Sequence, residues 1–208
     1  MMDKNSFNPR IYQSFPQMVV GFHGCDRSTA MEVLNSPEKH LKMSKNDYDW
    51  LGDGIYFWLN DPLRALEWAE QKNKDAPGKI KEPFVIGAII DLGVCLNFSE
   101  RDAIRLLQRS YDELEGVFKS AGLDINEQMK NKRPDAGGFS LVRELDCAVI
   151  RNLHNMMERE NVKFDTVYGY FQEGRDAYEG AGIKEKSHVQ VCVRNTACIK
   201  GYFLPRKK

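Results

Sequence analysis

No stretch of this chain stays apolar long enough to cross a bilayer, and its opening, MMDKNSFNPR, lacks the apolar core of a secretion signal. Both absences predict a cytosolic (cytoplasmic) protein with no membrane partner. There is no excess of either charge: 30 Lys and Arg stand against 30 Asp and Glu. That balance argues against a protein living on non-specific phosphate contacts. The five cysteines, Cys25, Cys95, Cys147, Cys192 and Cys198, form no Cys-x-x-Cys pair, and the four histidines, His23, His40, His154 and His188, are as dispersed. The spacing predicts neither a metal centre nor a disulfide framework, only reduced thiols set mostly in a core. Serine elbows of the GxSxG type and phosphate-cradling GxxxxGK[ST] loops are missing too.

What remains is ordinary globular material: 208 residues, 42% hydrophobic and 29% charged, without repeats or low-complexity tracts. We expect one domain over 1–208. Residues 17–22 read as a buried strand ending on His23-Gly24, with Asp26 or Ser28 capping a helix after it. Gly52 and Gly54 bracket a turn before the strand-like IYFW, and Asn60 or Asp61 with Pro62 is a helix start. Residues 83–98 predict a strand, a tight turn at 91–93 and a second short strand. Ile104, Leu107, Tyr111, Leu114 and Phe118 form a helical stripe. Residues 124–138 read as a loop and 140–160 as a second amphipathic helix. Further strands fall at 164–170, at HVQVCVRN and at IKGYFL. Short connections favour a largely antiparallel sheet in an α+β domain, with a helical insertion at about 99–161.

The most unusual feature is aromatic density. All three tryptophans, Trp50, Trp58 and Trp68, fall within one short stretch together with Tyr48, Tyr56 and Phe57. Large rings in such numbers form either a packed core or a cleft that stacks on a flat heteroaromatic ligand. Three segments give this stretch a context: Gly21-Phe22-His23-Gly24, then Gly52-Asp53-Gly54-Ile55-Tyr56-Phe57, then His188-Val189-Gln190. In this order they resemble the ADP-ribosyltransferase superfamily, in its branch like diphtheria toxin and the poly(ADP-ribose) polymerases, marked by a histidine, a tyrosine and a glutamate. Ala65, nine residues after Tyr56, and the aromatic Trp68 agree with that pattern. SxNxYDWLGxGIYFW also resembles a bacterial group of such proteins.

The resemblance implies split, mainly antiparallel β-sheets flanked by helices, with NAD as co-substrate and no metal. His23 would then hydrogen-bond the adenosine ribose, the Gly24 main chain would hold the nicotinamide amide, and Tyr56 would stack on the nicotinamide ring with Trp68 or Trp58 on its other face. Two positions depart from the family. Gln190 stands where the catalytic glutamate would be, so it can accept a hydrogen bond from a ribose hydroxyl but brings no negative charge. Arg64 stands where the polymerases carry a serine that helps hold the amide. Glu173, Glu179 and Glu185, on the loop before Gln190, are the acids near enough in sequence to supply the charge. The implied activity is mono-ADP-ribosyl transfer to a macromolecule, protein in preference to nucleic acid, in the manner of a toxin or defence effector. A non-catalytic NAD or ADP-ribose binding module and an NAD glycohydrolase remain alternatives.

Overall fold

A computed structural model of the chain describes residues 18–135 and 137–206. The opening decapeptide, Gln17 and the last two lysines of the basic tail lie outside these residues.

Strand β1 (Met18–Asp26) runs on past His23 to the residue that caps the first helix. Asp26 accepts a hydrogen bond from the Ser28 N–H and starts α1 (Arg27–Leu34). β2 (Ile55–Leu59) alternates its faces: Ile55 and Phe57 enter one core with Val191, Val193 and Ala30, while Tyr56 turns to a second with Leu51, Cys192 and Leu153. Asp61 caps α2 (Pro62–Asp75), accepting from the Arg64 N–H, with Pro62 in the first turn. β3 (Pro83–Asp91), β4 (Cys95–Asn97), β7 (Thr166–Phe171), β8 (His188–Val193) and β9 (Ile199–Phe203) complete a seven-stranded sheet of order β4-β7-β8-β2-β1-β3-β9.

Every pairing in this sheet is antiparallel except β4 with β7. The turn at 91–93 therefore makes no hairpin. Asp165 accepts from the Val94 N–H at 3.0 Å and draws β4 across to lie parallel beside β7. The fold is α+β with flanking helices, as expected. These seven strands form one hydrogen-bonded sheet, but its middle is thin. β1 and β3 share nine registered pairs, whereas β1 and β2 share only Gly21↔Leu59 and Phe22↔Trp58.

Between β4 and β7 lies the insertion: α3 (Arg101–Ser120), α4 (Ile125–Gln128), β5 (Asn131–Pro134), β6 (Ser140–Arg143) and α5 (Glu144–Arg159). Two expectations need correcting here. Residues 124–138 hold a helical turn and a strand, and 140–143 belong to a β-hairpin with β5 rather than to the second helix. The stripe on α3 holds for Leu107, Tyr111, Leu114 and Phe118, which are half-buried beside the buried Ala103 and Ser110, while Ile104 is exposed. Ser110 donates to the Val149 carbonyl at 2.8 Å, locking α3 to α5, whose Leu153, Met156 and Met157 enter the second core. The insertion enlarges that core. Among the described residues no disulfide forms; four of the cysteines are buried and Cys95 is half-buried. No helix there is long and apolar enough to cross a membrane.

Candidate functional site

The three motif segments lie on hydrogen-bonded neighbours at the centre of the sheet: His23 on β1, Tyr56 on β2, Gln190 on β8. Where the short β1–β2 ladder ends, the His23 ring reaches across, and its Nδ1–H donates to the Tyr56 carbonyl at 2.7 Å. Burial lowers the His23 pKa, and the carbonyl contact only partly opposes it. The imidazole is therefore neutral near pH 7, with Nε2 left as a lone-pair acceptor. Such an acceptor suits a hydroxyl group.

The link between His23 and Tyr56 runs through the main chain. The Tyr56 hydroxyl points into the Trp50–Gly54 turn, where it donates to the Gly52 carbonyl at 2.6 Å and accepts from the Leu51 N–H at 2.9 Å. Gly52 has φ +75°, a backbone state that favours glycine. Arg151 of α5 ties the same turn through Asp53 at 2.8 Å, and the residues leading into it through Asp47 at 2.7 Å.

Glycine at position 24 has a different cause. A Cβ there would stand 2.1 Å from the Ala65 carbonyl oxygen and 3.2 Å from the Ala69 Cβ. Only a residue with no side chain lets α2 lie this close to β1, and the close approach brings Trp68 beside His23, with ring centroids 6.5 Å apart. From there the rings continue in a row. Trp68 meets Trp58 at 6.0 Å, Trp58 meets His188 at 6.3 Å, and His188 meets Phe171 at 5.8 Å and Trp50 at 6.1 Å. Arg143 of the insertion caps the far end, 4.2 Å over the Phe139 ring, while pairing with Asp146 at 2.9 Å. The aromatic density in the sequence thus forms one continuous wall from β1 to β8.

Along this wall the polar groups are arranged unusually. Trp58 and Gln190 are partners in register, and both are about 95% buried. Four buried atoms here, Trp58 Nε1, Arg64 Nε, His188 Nε2 and Gln190 Oε1, have no hydrogen-bond partner among the described residues. His188 Nδ1 donates to the Lys186 carbonyl at 2.7 Å, and burial lowers its pKa, so Nε2 is a neutral acceptor. A buried polar atom left unmatched costs about 1–3 kcal/mol, so folded chains seldom gather four of them. Two donors and two acceptors thus lie along this one wall, a set of the kind a polar ligand completes.

The acids of the preceding loop separate sharply. Glu179 and Glu185 are exposed, whereas Glu173 is only 7% exposed. Both Glu173 oxygens accept from Arg64 Nη2, at 2.7 and 2.6 Å. The same guanidinium lies 5.8 Å from the Trp58 ring. This pair was not apparent from the sequence, where the partners lie 109 positions apart. The signal available was that Arg64 and Gln190 are the two positions at which the chain departs from the pattern it resembles. The insertion reaches this loop as well. Asp135 accepts from Gly174 N–H at 2.6 Å and from the N–H groups of Gly137 and Phe139. A cleft of about 420 Å³ opens beside this junction, lined by Gly137, Arg175, Asp176, Tyr178, Glu179 and Lys184. Among the described residues no group of three or more His, Cys, Asp and Glu comes together in a way that could hold a metal ion.

No protein-family model matches the chain, and no solved structure matches it. It is similar to an uncharacterized protein, MJ0359, of Methanocaldococcus jannaschii, at 27% identity over 199 residues, covering 86% of this chain and 83% of the relative.

Proposed function

We propose that the protein is an NAD-dependent mono-ADP-ribosyltransferase, with the ADP-ribosyltransferase fold that its motifs resemble. The observation that carries this reading is the meeting of three segments, far apart in sequence, on adjacent central strands, beside an aromatic wall with unmatched buried donors and acceptors. NAD carries the groups such a wall would take: a flat ring to stack, a carboxamide that both donates and accepts, and ribose hydroxyls. His23 Nε2 suits a ribose hydroxyl. The ring of Tyr56 and the rings of Trp58 and Trp68 suit the nicotinamide face, with Gly24 close by. Fixing ring and amide holds the glycosidic bond where its cleavage is easiest and C1′ open to a nucleophile. The acceptor would be a macromolecule, protein in preference to nucleic acid, and the cleft beside Tyr178 and Glu179 lies on the loop that would meet it.

The test is direct. Purified protein with labelled NAD should release nicotinamide and label a protein acceptor, and H23A and Y56A should lose both. Undiminished release by both folded variants would remove the assignment. One observation favours a second reading, a module that binds NAD without cleaving it: Gln190 is uncharged, and the buried Glu173 is paired with Arg64. Calorimetric NAD binding with no nicotinamide release would establish that alternative.

A further inference from the structure

Breaking the nicotinamide–ribose bond develops positive charge on the sugar, and a site that speeds this step places a negative group near C1′. Gln190 supplies none. Among the described residues Glu173 is the one buried carboxylate. It is 3.9 Å from His188 Nδ1, and its partner Arg64 packs over Trp58, which pairs in register with Gln190. The carboxylate therefore sits at the end of the β2–β8 seam, beside His188 and Arg64, which carry two of the four unmatched atoms.

Its main chain is held on both sides. The Glu173 carbonyl accepts from the Lys186 N–H at 3.0 Å, and the next residue, Gly174, is tied to Asp135. A buried ion pair is a weak stabilising device, since apolar residues of similar volume often do as well, so stability alone is a poor reason for this one. Nor does Arg64 cancel the charge. It also lies 3.7 Å from the exposed Glu67, so one cation is shared by two carboxylates and the three groups together carry a net charge of −1. His188 beside it is neutral.

Resting on the NAD reading above, we infer that Glu173 is the catalytic carboxylate of this chain and does the work that Gln190 cannot. In the transfer step the C1′–N bond breaks and its electron pair leaves with nicotinamide. A lone pair of the acceptor forms the new bond at C1′, and the acceptor's proton passes to the Glu173 carboxylate and from there to water.

The test measures nicotinamide release at saturating NAD together with NAD affinity by calorimetry, for the full chain and its variants. E173Q should lose about 100–1000-fold in release. Its NAD affinity should stay within about threefold, the pattern of an interaction made only in the transition state. Q190E added to E173Q should restore release to within about tenfold of wild type, because a charge returns to the same seam; packing alone would not give that recovery. E173Q strands a buried guanidinium, so R64Q/E173Q, which removes both charges together, provides a second folded background for the same comparison. Release at the wild-type rate by either folded variant, or no recovery with Q190E, overturns the inference and leaves the NAD reading standing. A wild-type protein that neither binds NAD nor releases nicotinamide removes both.

Discussion

Tyr56→Phe separates two jobs that one residue holds. The ring would face the nicotinamide, and the hydroxyl closes the turn beneath it. Removing the hydroxyl deletes the bonds to Gly52 O and Leu51 N and leaves a carbonyl and an N–H without their partner where Leu51 is 1% exposed. Two such losses in a dry setting amount to about 2–4 kcal/mol. With a urea slope of about 2–3 kcal/mol per molar, the unfolding midpoint should fall by about 1 M. Far-UV circular dichroism in a urea series measures it. Nicotinamide release by the folded variant should stay near wild type, because the stacking ring remains, whereas Y56A should lose it. An unchanged midpoint would refute the structural account of the hydroxyl, and lost turnover in folded Y56F would move the hydroxyl into the chemistry.

Gly24→Ala places a methyl group 2.1 Å from the Ala65 carbonyl, so α2 must back away from β1 and carry Trp68 off His23. Calorimetry should show a loss of about 1–3 kcal/mol together with weakened NAD binding, and a wild-type melting temperature would contradict this packing. Burial pushes His154 down to about 3 from 6.5, with Arg194 acting in the same direction. The unfolded chain takes up the proton as pH falls through 6.5 and the folded chain does not. Stability is therefore whole above that pH and declines below it, by up to about 1.4 kcal/mol per pH unit, until the folded pKa is reached. His23 and His188 shift in the same direction and add to the slope. Urea midpoints at pH 7 and pH 5 should differ accordingly, and less so in H154L; an equal slope in that variant would contradict the assignment.

Most of the fold was legible because its signals are local. Asp26 and Asp61 cap the helices they precede, and the aromatic and branched runs are strands. The parallel pairing of β4 was hidden, since Asp91-Leu92-Gly93 looks like any tight turn and its outcome is decided by Asp165, far along the chain. The β5–β6 hairpin was hidden too, in a stretch whose Pro and Gly content reads as loop. His23, Tyr56 and Gln190 could be found from their short motifs, and the structure sets them on neighbouring strands. Glu173 could not be distinguished from Glu179 and Glu185 in sequence, because burial of one acid among three depends on where Arg64 arrives from α2.

The row of rings has an optical consequence. Trp50, Trp58 and Trp68 are the only indoles in the 208 residues, and all belong to that one wall. Native emission from this molecule therefore reports on a single locality, with half-exposed Trp68 at the solvent end and Trp58 deeply screened. A titrant that enters the wall should quench or shift the whole signal, while an event on α1 or β9 should leave the spectrum still.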